Sequence, residues 1–443
     1  MMRDGAVRTA FSEHIDIWCI RVLSVLEELD LPAIFISAGD TSLYPRDDAE
    51  IPYRCFPHFA PWVPGADINT AGAVVSIDIH GEISLHVPRR ESYWAAPQDL
   101  EHLRDLPDRI RVEWHDSEWR GHAEAPPGSV WLGPERETHP ALAAGLAVNP
   151  VEVLRRLDYH RARKTDYEIG CIAEAQVSAA EGHRRVREAF MAGGASTREL
   201  YCTWLSGSGQ SGLQEPYGAI VAAGPDAGVL HFQIYRDRAL RAPEVLLIDA
   251  GTSARGYASD VTRTHVLGEA DGFAELVECV DRVQQELVSL CRPGLEFLEL
   301  HEASHLALAG AVAECGLGTA SPEALVEGGV MQALMPHGIG HALGIQVHDV
   351  GARQRRPGDA PSDPHPLYPH LRADCRLEEG LVHTVEPGIY FIPSLLHQVR
   401  SSKAKDCLDW GRVERWERFG GVRIEDNVVP AEHPRNLTRE QLP

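Results

Sequence analysis

Apolar residues recur at helical spacing over residues 11–29, and the short run LPAIFIS that follows is apolar and rich in β-formers. A helix leading into a strand is predicted there. Farther on, GAVVSIDIHGEISLHVP alternates on both sides of His80 and Gly81, the pattern of a hairpin turning at those two residues. Together these segments predict a small α/β domain. The proline-rich stretch 45–64 between them is longer than an ordinary connection. Near Asn149 and Pro150 the chain changes character. Thr165-Asp166-Tyr167-Glu168 then reads as a capping box, in which Thr165 and Glu168 satisfy each other's free backbone amides at a helix start. The helix should run to Gly193-Gly194, where a left-handed cap can end it, and Ser196 with Glu199 should open the next one. The boundary falls near 150–160, giving a smaller α/β domain over 1–157 and a larger domain over 158–443.

In the larger domain LLIDAG and ASDVTRTHVL read as strands joined by a turn, helical patterns follow over 272–291 and 295–315, and strands return near the C-terminal end. That order predicts an α+β layer with helices covering an antiparallel sheet.

Composition narrows the function classes. The 443 residues exceed the size at which one core usually stops growing. A formal net charge of −23, with 65 acidic side chains against 42 Lys and Arg, leaves no basic stripe for phosphates. Nucleic acid is therefore not an expected partner. Nine cysteines, scattered and without a C-x-x-C pair, fit reduced thiols in the cytosol. No stretch approaches the roughly 18 apolar residues of a membrane helix, and the first residues contain no apolar signal core. A cytoplasmic protein with no membrane partner is expected.

Five short islands carry the chemistry: Asp249 in LLIDAG, Asp260 in YASDVTRT, His341 in MPHGIGHALGIQVHDVG, Glu386 in VHTVEPGIY and Glu425 in GGVRIEDN. Side chains two apart on a strand share a face, which predicts Asp260 beside Thr262, Thr384 beside Glu386, and Arg423 beside Glu425. Asp249 follows Leu246-Leu247-Ile248, and Glu425 is bracketed by Val422, Ile424, Val428 and Val429, so both sit in strands fit for burial. Buried like-signed carboxylates need compensation, and two divalent cations would balance four of them. Four carboxylates and an imidazole suit hard or borderline ions. His337 and His341 are four apart, but Pro336, Gly338, Gly340 and Gly344 oppose a helix and no Glu follows His337, so a loop or strand is predicted instead of a zinc-binding helix. The segment GSGQSG at 207–212 satisfies G-x-G-x-x-G yet follows a helical pattern instead of a strand. It reads as a flexible loop, and it offers no nucleophile elbow for a serine hydrolase.

These islands, with KTDYEIGCIAEAQ and YPHLR, resemble those of the metal-dependent aminopeptidases and prolidases of pita-bread fold, the bacterial Xaa-Pro dipeptidases most of all. The resemblance implies a pita-bread catalytic domain, with helices covering a curved and largely antiparallel sheet. It implies two divalent ions, Mn²⁺ first with Co²⁺ or Zn²⁺ as alternatives, held by Asp249, Asp260, His341, Glu386 and Glu425. A hydroxide bridging the ions would attack the bond before proline in an Xaa-Pro dipeptide. Glu386 would exchange the proton and His348 would stabilise the oxyanion. His231, Tyr217 and His337 would face the substrate, Arg372 would receive its C-terminal carboxylate, and Thr262, Thr384 and Arg423 would support the ligands. A homodimer is implied as well. Two alternatives remain: an aminopeptidase of the same fold acting on longer Xaa-Pro peptides, and a catalytically weakened binding protein. One departure stands out. Such dipeptidases usually carry a tyrosine after the histidine matched by His231, and this chain has Phe232, which predicts a missing phenolic hydroxyl near the metals.

Overall fold

A computed structural model describes residues 4–66, 68–90, 98–116, 119, 121, 125–134 and 145–442. The chain divides into two compact units, the first comprising 1–171 with 254–257 and 356–360, the second the remainder.

The first unit holds helix α1 (Asp4–Glu28) and strands β1 (Ala33–Ser37), β2 (Val74–Asp78), β3 (Ile83–Pro88), β4 (Ile110–His115), β5 (Val130–Leu132) and β6 (Ala147–Val148). They form a mixed six-stranded sheet in the order β4-β3-β2-β1-β5-β6. The hairpin read around His80 and Gly81 is β2–β3, and Gly81 takes the left-handed conformation that the turn requires (φ +80°). Phe11, Ile15, Trp18, Val22 and Leu26 of α1 are buried, at the helical spacing seen in the sequence. Helix α2 (Val151–Ala162) follows the sheet. Within the long 45–64 stretch, Phe59, Trp62 and Val63 are buried, so this segment supplies core.

The capping box at Thr165 is present. The Thr165 amide donates to Glu168 Oε2 at 2.8 Å and the Glu168 amide to Thr165 Oγ1 at 3.4 Å. It opens helix α3 (Asp166–Ala192), which ends at Gly193 and Gly194, both with positive φ. Ser196 and Glu199 form the second capping box, at the head of α4 (Thr197–Ser208). The reading of 207–212 as a loop needs correction at its start. Gly207 and Ser208 belong to α4, and the left-handed residue is Gly209 (φ +69°). A Cβ on Gly207 would lie 3.1 Å from the Gly182 Cα of α3, so this glycine permits two helices to approach and has no ligand-loop geometry.

The second unit then builds antiparallel sheets. Strands β7 (Ile220–Ala223), β8 (Glu244–Asp249) and β9 (Thr262–Leu267) pair in the order β9-β8-β7. Near the end of the chain β10 (His383–Val385), β11 (Gly388–Tyr390), β12 (Gly421–Arg423) and β13 (Asp426–Val429) pair as β10–β13 and β11–β12. Helices α5 (Phe273–Leu290) and α6 (Phe297–Glu314) match the two predicted helical runs. Val245 to Ile248 of β8 are at most 1% exposed, so burial on both faces of this strand is complete before it reaches Asp249.

Candidate metal centre

The five predicted ligands converge in the second unit, but they do so from strand ends more than from within strands. Asp249 is the last residue of β8, Asp260 precedes β9, Glu386 follows β10, and Glu425 lies between β12 and β13 in an isolated bridge with Thr262. The expectation that Asp260, Glu386 and Glu425 sit inside ladders is corrected accordingly. At a strand end the backbone is free to find side-chain partners. The Asp260 amide donates to Asn427 Oδ1 at 3.0 Å, and Asn427 Nδ2 donates to the Asp260 carbonyl at 2.6 Å. His341 stands in the irregular segment after Pro336, as the glycine pattern predicts, and its amide donates to Thr384 Oγ1 at 3.1 Å.

Asp260, His341 and Glu425 are buried, with their nearest ligand atoms all within 4.8 Å of one another. His341 Nε2 lies 3.4 Å from Asp260 Oδ2 and 3.7 Å from Glu386 Oε1, longer than the roughly 2.7–2.9 Å of a charge-assisted hydrogen bond. His341 Nδ1 is 3.0 Å from the Ala342 carbonyl, an arrangement that fixes Nδ1 as donor and turns the Nε2 lone pair toward the acids.

Supporting contacts surround the acids. Arg423, 4% exposed, donates to Asp249 Oδ2 at 2.6 Å, to Thr262 Oγ1 at 3.1 Å and to the Tyr390 hydroxyl at 2.8 Å. Thr262 Oγ1 donates to Glu425 Oε2 at 2.6 Å, and Thr384 Oγ1 to Glu386 Oε1 at 3.3 Å. Tyr390 and Asn427 complete this shell. Sequence reasoning did not single them out, although both stand inside the VEPGIY and IEDN strings; only the folded pairing gives them a role.

Electrostatics shows what the acids lack. Burial pushes the Asp249 carboxyl up to about 6 against the pull of Arg423. Burial likewise pushes Glu386 up to about 7, against His341 and Arg423. Burial, reinforced by Asp260, Glu386 and Asp249, raises Glu425 well above the usual carboxylate range. Burial opposes ionisation of Asp260 too, but the His341 ring holds it below its ordinary value, and His341 is raised in return by Asp260 and Glu386 against its own burial. One arginine and one imidazole are too little positive charge for four carboxylates. The donor set and its charge deficit fit two divalent cations.

A cavity of about 240 Å³ opens on the acids. Its wall includes Leu230, His231, His337, His348, His370, Arg372 and all five ligand residues. His348 stacks edge-on against His341, with centroids 4.3 Å apart. His337 Nε2 lies 2.9 Å from the Tyr390 hydroxyl. Arg372 is exposed, and no acid pairs with it among the described residues. Tyr217 is brought to the acids, its hydroxyl donating to Asp249 Oδ1 at 2.7 Å and to Asp260 Oδ1 at 2.5 Å. The Phe232 ring packs with Ile220, Ala222, Ala227 and Leu247, so its side chain belongs to core, and the phenolic hydroxyls at the acids and their supporting arginine are those of Tyr217 and Tyr390.

Comparison with known proteins agrees with this geometry. Residues 170–432 match the model of metallopeptidase family M24, and residues 9–159 match the N-terminal domain of Xaa-Pro dipeptidase. An Xaa-Pro dipeptidase of Stenotrophomonas maltophilia is 34% identical over 97% of this chain and 96% of its own length, and one of Shewanella woodyi is 34% identical over 97% and 98%. Among solved structures, proline aminopeptidase P II from Yersinia pestis superposes with a TM-score of 0.71 at 22% identity, covering 98% of this chain and 96% of its own. Pseudomonas aeruginosa aminopeptidase PepP gives 0.72 at 22%, covering 98% and 95%; at such identity the likeness speaks for the fold. The chain belongs to metallopeptidase family M24, in the group that carries the Xaa-Pro dipeptidase N-terminal domain.

Proposed function

We propose that the protein hydrolyses Xaa-Pro dipeptides, with Asp249, Asp260, His341, Glu386 and Glu425 holding two divalent ions, Mn²⁺ first among them. When bound, the ions supply Lewis acidity and acidify water. Glu386, whose Oε1 accepts from Thr384 and whose Oε2 lies 3.7 Å from His337 Nδ1, would move a proton from the attacking water to the departing proline nitrogen. His348 donates to the developing oxyanion, and His231 and His337 line the substrate space. Thr262, Thr384 and Arg423 orient the ligand carboxylates, and Tyr217 orients Asp249 and Asp260 from the substrate side through its hydroxyl. The imide bond before proline has no N–H to recognise, so the substrate's termini must serve as handles.

The observation that carries the reading is Arg372 on the wall of so small a cavity. A volume of about 240 Å³ lies below the roughly 300–1,000 Å³ typical of drug-sized ligand sites, and a guanidinium at its wall, paired with no acid among the described residues, offers a bidentate seat for a carboxylate. The relatives named as Xaa-Pro dipeptidases support the same substrate. The protein is further proposed to be a cytoplasmic homodimer. Support for the compartment comes from nine cysteines that are all free and from the described helices, none of which is long and apolar enough to cross a membrane. The test is turnover of the Mn²⁺-loaded protein on an Xaa-Pro dipeptide and on the tripeptide extended at its C-terminus. Faster cleavage of the dipeptide is expected; preference for the tripeptide would make it an aminopeptidase of the same fold, and no cleavage of either a binding protein.

A further inference from the structure

The first unit contains a second convergence of metal-binding side chains, on the face of the β3–β4 pair. His86 of β3 is the register partner of Glu113 of β4 in a parallel ladder, so their side chains leave the same face, and His115 stands two residues on from Glu113 on that face. His86 Nδ1 lies 3.2 Å from Glu113 Oε2 and 3.3 Å from His115 Nε2. All three ligand atoms lie within 4.8 Å of one another.

Two readings compete for this arrangement. As a hydrogen-bonded trio it is poor, because a single Nδ1 faces two partners at once and both are beyond the roughly 2.7–2.9 Å of a charge-assisted bond. As ligands of one ion it is apt, since donors about 2.0–2.1 Å from a tetrahedral centre lie about 3.3 Å from each other. The surroundings favour the second reading. Ser76 Oγ, 3.0 Å from His86 Nε2, can accept a hydrogen bond from Nε2–H, which leaves the Nδ1 lone pair facing its neighbours. Arg111 Nε engages the other oxygen of Glu113, Oε1, at 2.9 Å, which turns Oε2 inward. Trp119 stacks on the His86 ring with centroids 4.3 Å apart and an interplanar angle of 22°, fixing the ring plane. His86 itself is buried, so its orientation is set by packing as well as by bonding.

We propose that His86, Glu113 and His115 bind one borderline divalent cation, of which Zn²⁺ is the type, at a site separate from the carboxylate centre. Two imidazoles and a carboxylate complete three positions of a tetrahedron and leave the fourth for water or an outside ligand. β4 is the edge strand of its sheet, so an ion shared by β3 and β4 fastens that edge. The site's expected role is to steady the first unit without entering the reaction.

The experiment counts metal on the full chain. Protein dialysed against Zn²⁺ and freed of loose ion by gel filtration should retain about three zinc ions per chain, against about two in Glu113→Gln or His115→Gln, with dipeptide turnover of the Mn²⁺-loaded protein unchanged in either variant. The converse variant, Asp249→Asn with Glu425→Gln, should still retain the ion on the first unit. Zn²⁺ should also raise the thermal transition of the converse variant, an effect removed by adding His115→Gln. Equal zinc counts in the natural chain and both single variants would overturn the proposal, as would no zinc on the converse variant. Two variants guard against one of them misfolding, and neither outcome bears on the substrate assigned to the carboxylate centre.

Discussion

Arg372 and Phe232 are the two residues whose roles depend most on where their side chains point. If Arg372 seats the substrate carboxylate, Arg372→Ala removes a hydrogen bond between charged groups, roughly 1.5–3 kcal/mol, and kcat/KM for an Xaa-Pro dipeptide should fall about 10- to 100-fold. The same change should leave C-terminally amidated substrates almost untouched; equal losses on both would mean that the arginine supports structure. Phe232 carries the opposite expectation. With its ring among Ile220, Ala222, Ala227 and Leu247, and the Arg236 guanidinium 5.3 Å from its centroid, a hydroxyl added there does not join the acids. Phe232→Tyr should therefore leave kcat/KM of the metal-loaded protein within about twofold, and a gain above about tenfold would return the missing hydroxyl to the mechanism. Phe232 also marks where reading a sequence stops. Five candidate ligands were legible because each sits in its own string of glycines, prolines and arginines. Adjacency to His231 does not say that the next side chain faces the same way, and in an irregular segment no period supplies that direction. Tyr217 and Tyr390 illustrate the same limit: the bonds of one to Asp249 and Asp260, and of the other to Arg423 and His337, appear only in the folded chain.

At the scale of elements, helices and caps were the most legible features, since Thr165–Glu168 and Ser196–Glu199 declare their helix starts locally. Strand ends were less so. A two-residue period identifies a face but not the residue at which a ladder stops, and here the acids stand where ladders stop. What fixes them is a side chain from another strand. Asn427 of β13 bonds both the amide and the carbonyl of Asp260, and Gln176 of α3 bonds Asn427 in turn. Asn427 thus replaces the missing ladder partner. Asn427→Ala should leave the helices intact but loosen Asp260, weakening metal affinity about 10- to 100-fold, the usual effect of losing a residue that orients a ligand. Metal-competition titration with a chromophoric chelator measures this directly. Unchanged affinity with lowered thermal stability would assign Asn427 to the fold alone.

For the molecule as a whole, the carboxylate centre couples metal, pH and stability. Without ions, burial holds Asp249 near 6 and Glu386 near 7, against ordinary values of 3.8 and 4.5. These two acids are raised, so between about pH 4.5 and 7 they bind more protons in the folded metal-free protein than in the unfolded chain. Their contribution to stability then falls as pH rises through that window, because each proton lost leaves a buried charge uncompensated. His341, raised by Asp260 and Glu386, contributes in the same direction: its share is present at low pH and is lost as pH passes its folded value. Asp260, held below its ordinary value, acts at more acid pH and does not alter the trend. The formal net charge of −23 adds general repulsion as pH rises, but that term is nearly common to the metal-free and metal-loaded proteins and largely cancels in their difference. Histidines of the second unit lowered by burial, His183, His265, His301, His305, His337, His348 and His383, push stability the other way over the same range, so the test is the difference between the two forms. The gap between them, the gain in the second unit's melting temperature on metal loading, should widen from pH 4.5 to 7.5. Because the chain has two units, the transition must be followed with a probe in the second, such as Trp204 or Trp416 fluorescence. A gap that stays constant or narrows would mean that something other than bound cations already balances these acids, and the charge deficit on which the metal assignment rests would disappear.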